Sequence, residues 1–388
     1  MSLARAATDQ NATAPDRRKV LQWSTVLAAA SGVGLTAARA QQASGPAQPQ
    51  EGPPAQDAGA LRKGMIGFML AHEQFPVPEL VQLGSLASRS GFHLLAASDH
   101  LQPWQANQGH CAQAWVTLGA LGGQGARSWM GTTVTCPTLR YNPAVVAEAF
   151  ASLSLLSPGR VFLGVGSGEA LNEQAGTGDW PKWQERWDRL IEAITVIRQL
   201  WAGQEVSHQG KYYTVNAKLY DPPAQPIPLL AAANGRKSMR LAGQHGDGLI
   251  TDPKSWKQYK SEWEDGARSA GKNPADMPVL VEQYVAVGDE AVARQAAEAW
   301  RFGPKAWHPY FDVPSPVKIQ QLAESQVPLS EVTKGWVVGT DPEAHAAKLR
   351  ELFDSGATIV NIHSGQPDQR QVIQFYAAHV LPKFRQPA

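Results

Sequence analysis

Short apolar runs alternate with helical segments from residue 65 onward, and this alternation constrains the fold more than any other feature of the chain. Apolar runs separated by amphipathic helices are typical of repeated β-α units and a parallel sheet. Eight such units in one domain favour a (β/α)8 TIM barrel over an open sheet. The predicted strands are Met65–Leu70, Phe92–Ala97, Met130–Thr135, Val161–Val165, Ile227–Ala233, Gly248–Thr251, Val279–Val287 and Thr358–Ile362.

Two segments interrupt this pattern. The polar and aromatic residues of 204–220, with a turn at Gln209-Gly210-Lys211, predict a hairpin before the fifth strand. Residues 302–334 contain five prolines and no clean period, which predicts a long insertion near the barrel mouth.

Helices are predicted at Pro78–Arg89, Ala112–Gly122, Pro143–Leu156 and Trp183–Trp201.

The first sixty residues differ in composition from the rest. Arg17 and Arg18 precede an alanine-rich apolar stretch that ends at Leu35, and Ala38-Arg39-Ala40 supplies small residues for cleavage. This layout predicts a twin-arginine (Tat) export signal over 1–40, with the periplasm or cell envelope as destination and the Tat machinery as a partner. A flexible linker over 41–60 and one barrel domain over 61–388 are expected to follow. A membrane-anchor helix is the alternative, although the apolar core is short for a span.

Charge and cysteine content narrow the class of protein. Lys and Arg total 35 against 34 Asp and Glu, so a basic nucleic-acid-binding protein and an acidic disordered protein are both disfavoured. A small-molecule partner is expected instead. Cys111 and Cys136 are too few for a disulfide framework, and we expect two free thiols.

Ionisable groups follow two of the predicted strands. The second strand leads into Ser98-Asp99-His100-Leu101-Gln102-Pro103-Trp104, and the fourth leads into a glycine-rich turn that ends at Glu169. Barrel enzymes keep their chemistry at the carboxyl ends of the strands. An imidazole base and a carboxylic acid are therefore both available at one end of the barrel.

Other interpretations of these residues stay open from the sequence alone. Glu169 occupies the place of the third glycine in a dinucleotide fingerprint, so the turn does not fit that motif. It could be an ordinary turn with a surface glutamate. His100, His110 and Cys111 match no compact metal motif, and no metal site is predicted. His100 could also be a buried, hydrogen-bonded core histidine.

Several segments together resemble a known enzyme family. They are Ser98–Trp104, Gly131-Thr132-Thr133-Val134, Arg140-Tyr141-Asn142-Pro143 and Arg160–Glu173, with shorter matches at Glu73-Gln74-Phe75, Gln199-Leu200-Trp201 and Gly246-Asp247-Gly248. In this order they are similar to the coenzyme F420-dependent glucose-6-phosphate dehydrogenases. The resemblance spans nearly all of residues 61–384 and implies a bacterial-luciferase-like barrel that uses the deazaflavin coenzyme F420.

The resemblance implies a role for each matching position. His100 corresponds to the base that removes the hydroxyl proton, Glu169 to the acid near the deazaflavin, and Trp104 to the aromatic wall that holds the substrate. A cis peptide is implied at Thr133-Val134. The positions that match cofactor-binding residues are Asp99, Thr133, Val134, Ser167, Asn172, Asn234 and Gly235.

One departure from the family bears on the substrate. The resemblance places a phosphate-binding arginine just before the tryptophan that matches Trp336, and this chain has Gly335 there. A phosphate dianion needs several fixed cationic donors, so we expect poor use of glucose 6-phosphate. The export signal, with Thr135-Cys136-Pro137, is instead similar to the F420-dependent hydroxymycolic acid dehydrogenases, which implies oxidation of a secondary alcohol, lipid-like in those enzymes.

Three other functions are compatible with the sequence. The superfamily also contains FMN-dependent monooxygenases, and an F420-dependent sugar-phosphate dehydrogenase is a second enzymatic alternative. An exported binding protein that keeps the barrel without turnover is the alternative outside enzymology. Among these, an F420-dependent alcohol dehydrogenase, expected as a homodimer, is the main prediction.

The paired arginines provide a direct test of export. Replacing Arg17 and Arg18 with lysine should leave the protein in the cytoplasm, because the Tat pathway reads the arginine pair. Cell fractionation measures the effect, and Arg39→Lys, outside the pair, is the control. Unchanged fractionation of the double variant would indicate another route.

Overall fold

Eleven strands and twelve α-helices make up the computed structural model, which describes residues 60–306 and 308–384. The strands are β1 (Met65–Leu70), β2 (Leu94–Ala97), β3 (Trp129–Thr132), β4 (Val161–Val165), β5 (Val206–Gln209), β6 (Thr214–Ala217), β7 (Leu229–Ala232), β8 (Gly248–Thr251), β9 (Val279–Ala286), β10 (Val337–Val338) and β11 (Ile359–Ser364). The helices are α1 (Val77–Arg89), α2 (Ala114–Gly123), α3 (Pro143–Leu156), α4 (Glu173–Thr177), α5 (Trp183–Trp201), α6 (Arg236–His245), α7 (Pro253–Ser269), α8 (Glu290–Ala299), α9 (Pro316–Gln326), α10 (Leu329–Val332), α11 (Pro342–Asp354) and α12 (Gln369–Phe375).

Eight of the strands close into a parallel barrel. Their order is β1-β2-β3-β4-β7-β8-β9-β11, and β11 pairs with β1 to complete the circle. The short strand β10 pairs in parallel with the carboxyl end of β9. Helices connect the successive strands, as parallel pairing requires. The predicted (β/α)8 TIM barrel is therefore confirmed.

Side chains alternate between two apolar layers along each barrel strand. In β1, Ile66 and Phe68 pack outward against the helices, whereas Met65 and Met69 point into the lumen. The lumen layer draws on the seven other barrel strands through Leu94, Trp129, Phe162, Leu230, Ile250, Leu280 and Ile359. Period-two alternation places these residues inside the barrel, and their bulk fills it.

Most predicted elements match the structure, and the differences have local causes. β4, β8, α3 and α5 have the predicted bounds, and β5 pairs antiparallel with β6 as the expected hairpin. The third strand ends at Thr132 rather than at residue 135, and Thr135 is joined to Val165 of β4 only by an isolated parallel bridge.

The insertion at 302–334 has more regular structure than the sequence indicates. It contains α9 and α10, although its prolines suggested irregular backbone. Pro316 occupies the first turn of α9, where a missing N–H costs nothing because that group has no partner within the helix. Proline here starts a helix rather than breaking one.

The predicted export signal and linker lie outside the described residues, apart from residue 60. Within residues 60–306 and 308–384, no helix is long and apolar enough to cross a membrane. Cys111 and Cys136 are both free, and burial raises the pKa of the Cys136 thiol well above its usual range.

Candidate active site

The barrel mouth is formed by the loops that follow the strands. β1 leads to Glu73, β2 to Asp99 and His100, and β4 to the turn at Glu169. The Nδ1 atom of His100 lies 3.8 Å from Oε1 of Glu73, and both residues are buried. That nitrogen has no hydrogen-bond partner among the described residues. The imidazole therefore turns its Nδ1 towards a buried carboxylate.

Glu73 is held in place by the ends of two strands. Its Oε2 accepts a hydrogen bond of 2.6 Å from the Ser98 hydroxyl, and that hydroxyl accepts the backbone N–H of His72 at 2.9 Å. The side chain of His72 lies 2.8 Å from the Thr117 hydroxyl, and burial lowers its pKa. His72 is thus a neutral structural group, and Glu73 is the carboxylate that faces the site.

Asp99 is the centre of a separate buried network. Its Oδ2 accepts a bond of 2.6 Å from Thr135, and its Oδ1 accepts from the Tyr141 hydroxyl at 3.0 Å and from the Arg140 guanidinium at 3.3 Å. These contacts tie the loop after β2 to the segment after β3. The resemblance implied that Asp99 is a cofactor-binding position, and the structure gives its carboxylate three protein partners.

Asn172 joins the two loops that carry the proposed base and acid. Its Oδ1 accepts the backbone N–H groups of Leu101 and Gln102, at 2.8 and 3.3 Å. Its Nδ2 donates to Oε2 of Glu169 at 3.2 Å. One amide side chain thereby fixes the Glu169 carboxyl relative to the loop that carries His100.

The segments that follow β3 and β4 contribute their backbone to the barrel mouth. The Thr133–Val134 peptide is cis, as the resemblance implies, and the Thr133 hydroxyl contacts Met69 Sδ at 3.6 Å. A Cβ atom on Gly166 would lie 2.7 Å from Val134 Cγ2. Glycine is needed at 166 because any side chain would collide with Val134, and the half-buried Ser167 follows it at the mouth.

Asn234 and Gly235 lie at the same end of the barrel, after β7. Asn234 Oδ1 accepts the Thr251 hydroxyl at 2.9 Å, and Gly235 is the residue that precedes α6. Every predicted site residue thus follows the carboxyl end of β2, β3, β4 or β7. This is the arrangement that the strand-end pattern predicts.

An aromatic wall closes the site on the side of the insertion. Trp104 lies 5.6 Å from the His100 ring and stacks on Phe302 at 4.6 Å and an interplanar angle of 13°. The insertion also reaches the acid side of the site, because the N–H of Ala170 donates to the Phe311 carbonyl. The expected position of the insertion at the barrel mouth is confirmed.

Glu173 is a second carboxyl group close to Glu169. Its Oε2 accepts the backbone N–H of Arg140 at 2.7 Å, and the side chain is fully buried. Burial raises its pKa to about 7. The group sits behind the glycine turn, where a Cβ atom on Gly168 would lie 2.4 Å from Glu173 Cγ.

No role for Glu73 or for the Arg140–Tyr141 pair was predicted from the sequence. Glu73 follows β1 as His100 follows β2, so the strand-end rule that identified His100 could also have selected it. Arg140 and Tyr141 follow no strand directly. Only the fold brings them to Asp99, and no local pattern signals that contact.

Comparison with known proteins places this geometry in a family. The family model described as luciferase-like monooxygenase matches residues 59–358. The F420-dependent hydroxymycolic acid dehydrogenase of Mycobacterium tuberculosis is 46% identical over 323 residues, which cover 82% of this chain and 88% of the relative. The F420-dependent glucose-6-phosphate dehydrogenase of Microbacterium testaceum is 38% identical over 327 residues, which cover 82% of this chain and 97% of the relative.

A solved structure agrees with these sequence relatives. An F420-dependent secondary alcohol dehydrogenase, in complex with an F420–acetone adduct, superposes with a TM-score of 0.78 at 31% identity. The superposition covers 84% of this chain and 100% of that structure. Both the sequence and the fold therefore relate the barrel to deazaflavin-dependent dehydrogenases.

The pKa of Glu173 leads to a prediction about stability. Because the folded-state pKa is raised from 4.5 to about 7, the folded protein keeps a proton that the unfolded chain releases. Stability should then fall as the pH rises from 4.5 through 7, by at most about 3 kcal/mol. Glu173→Gln, which mimics the protonated acid, should remove this loss.

Thermal unfolding between pH 5 and pH 8 measures the effect. The Tm of the wild type should fall relative to that of Glu173→Gln as the pH rises. Glu148→Gln, at an exposed site on α3, is the control and should run parallel to the wild type. A parallel course for Glu173→Gln as well would contradict the prediction.

Proposed function

Because the chain belongs to the luciferase-like monooxygenase family and, within it, to the F420-dependent dehydrogenases, we propose that it oxidises a secondary alcohol to a ketone with coenzyme F420. The observation that carries the proposal is the pair of loops joined by Asn172, which bring His100 and Glu169 to one mouth of the barrel. In this reaction a carbinol carbon loses a hydride and its hydroxyl loses a proton.

The residues at the mouth fit a flat aromatic cofactor. The backbone at Thr133–Val134 and the glycine at 166 form a surface free of bulky polar side chains, and Trp104 provides an aromatic wall. Asp99, Thr133, Val134, Ser167, Asn172, Asn234 and Gly235 are the residues proposed to hold it. When bound, the deazaflavin supplies the hydride acceptor, and the protein supplies orientation and proton transfer.

We assign His100 as the base. Its Nδ1 faces Glu73, so Nε2 is the nitrogen that takes the hydroxyl proton of the alcohol. The imidazolium formed then lies 3.8 Å from the Glu73 carboxylate, which stabilises the positive charge in a buried setting. Glu73 therefore acts as the electrostatic partner of the base.

Glu169 is assigned as the acid. Asn172 Nδ2 donates to its Oε2 and orients the carboxyl group, and the Glu169 residue as a whole is only 8% exposed. Oε1 would then be the atom that holds the proton available to a bound deazaflavin. The orienting amide also holds the base loop, so acid and base keep a fixed relative position.

Gly335 supports an uncharged alcohol rather than a phosphate ester. Its φ is +84°, and a Cβ atom there would meet nothing within 4 Å. An arginine at 335 would have room, but left-handed backbone costs an L-residue about 1–2 kcal/mol. Restoring the charge by Gly335→Arg is thus opposed by the backbone, and the gain expected for a phosphate ester is reduced accordingly.

Oxidation of glucose 6-phosphate is the second candidate. It is supported by the 38% identity to the glucose-6-phosphate dehydrogenase of Microbacterium testaceum. The glycine at 335 weighs against it.

We further propose that the enzyme acts outside the cytoplasm, after Tat export, and as a homodimer. The arginine pair at 17–18 supports the export part of this proposal.

Cofactor titration together with one variant tests the reaction. The wild type should bind oxidised F420 more tightly than FMN, as measured by quenching of cofactor fluorescence. His100→Ala should keep F420 binding within a few-fold and lower kcat at least about 100-fold, because general-base catalysis is lost. Glu73→Gln should cost about tenfold in kcat. Binding of FMN alone, with oxygen consumption, would support the monooxygenase instead.

A substrate panel tests the preference for an uncharged alcohol. Bleaching of oxidised F420 should be faster, in kcat/KM, with secondary alcohols than with glucose 6-phosphate. Gly335→Ala is the control for the backbone at this position, and it should lower thermal stability without favouring the phosphate. Equal or better use of glucose 6-phosphate by the wild type would contradict our interpretation of Gly335.

A further inference from the structure

Four polar side chains lie inside the barrel on two neighbouring strands. β9 and β11 pair in parallel, with Glu282 beside Asn361 and Tyr284 beside His363. Leu280 and Ile359 lie two residues before the first pair and four before the second, and both belong to the lumen core. Period-two alternation therefore points these four side chains inward. Barrel lumens are usually filled by branched apolar residues. Polar groups in two successive layers therefore need a physical reason.

The polar atoms of this group are only partly satisfied by the protein. The Nδ1 atom of His363 lies 2.7 Å from Oε1 of Glu282. Its Nε2 is buried with no hydrogen-bond partner in the described part of the chain, and the same holds for both amide atoms of Asn361. A buried polar group without a partner destabilises the folded protein. A ligand that pairs these atoms would recover that free energy.

The group is continuous with the barrel mouth. The Glu282 side chain remains 22% exposed, so solvent reaches it although the His363 side chain is only 3% exposed. Phe68 pairs with Ile362, which makes Met69 the neighbour of His363 on β1. Met69 also contacts the Thr133 hydroxyl at the cofactor side of the mouth. These side chains therefore form the floor of the proposed active site.

Aromatic rings link the same group to the base. The His363 ring lies 4.3 Å from the rings of both Tyr284 and Trp300. Trp300 Nε1 donates to Gln74 at 2.7 Å, and Gln74 is the residue after the carboxylate partner of His100. A substrate that extends from the base towards the floor would pass these rings before reaching His363.

We propose that His363, oriented by Glu282 and assisted by Asn361, binds a second hydroxyl group of the alcohol substrate. The proposal rests on the proposed function. A hydroxyl both donates and accepts, as the ring nitrogen and the amide together require, whereas an ammonium only donates and a phosphate only accepts. The Glu282 carboxylate also repels a phosphate. The substrate class is thus a secondary alcohol with a second, remote hydroxyl on an apolar link.

Paired alcohols test this subsite on the full-length enzyme loaded with F420. The probes are 2-alkanols of five to eight carbons and diols of the same length with a second hydroxyl at increasing distance. For at least one length, the wild type should use the diol with about tenfold higher kcat/KM. His363→Leu should reduce that ratio to about one, mainly by raising the KM for the diol.

Two further variants separate binding from packing. His363→Gln keeps a hydrogen-bonding group and should retain part of the preference. His208→Leu is the matched control. His208 lies in the hairpin, outside the barrel, and also pairs with a glutamate, Glu192, at 3.3 Å. This variant should leave the ratio unchanged. If His363→Leu does not fold, Asn361→Leu should lower the same ratio.

The outcomes distinguish the subsite from the reaction. Equal kcat/KM for diols and 2-alkanols at every length in the wild type would overturn the subsite and leave alcohol oxidation intact. A preference for diols that survives in both His363→Leu and Asn361→Leu would do the same. Wild-type enzyme that binds F420 and oxidises neither series would overturn the proposed function as well as the subsite.

Discussion

The hydrogen bonds of one buried amide hold the two halves of the candidate site together. Asn172 accepts from two backbone N–H groups after β2 and donates to the carboxyl group after β4. Because the barrel fixes the strands but not the loops beyond them, the loops need a contact of their own. A side chain that both donates and accepts makes that contact between two different chemical groups. The relative position of His100 and Glu169 depends on it.

The barrel and the position of its site could be predicted from local patterns. Apolar runs indicated the strands. His100 and Glu169 were predicted because they follow strands directly, and in this fold the active site lies at the carboxyl ends of the strands. The same rule applies to Glu73, which follows β1, although no role was predicted for it from the sequence. The bounds of β4, β8, α3 and α5 matched because proline or glycine marks them or their apolar runs end abruptly.

Contacts between distant segments could not be predicted in this way. The network around Asp99 joins Thr135, Arg140 and Tyr141 through side-chain geometry that no spacing encodes. The left-handed backbone of Gly335 is similar, because its missing charge is visible in the sequence but its φ is not. The unpaired atoms of His363 and Asn361 follow from strand register, which only the closed barrel defines.

The stacking of Phe302 on Trp104 has a consequence for how such an enzyme can diversify. The outer part of this wall, which includes Phe302, comes from one continuous stretch of chain after α8, whereas Trp104 and the groups that handle protons follow β1, β2 and β4. Exchange of that stretch would reshape the entrance and leave the acid, the base and their shared amide in place. A new substrate range is therefore accessible by recombining a single segment, without rebuilding the catalytic groups.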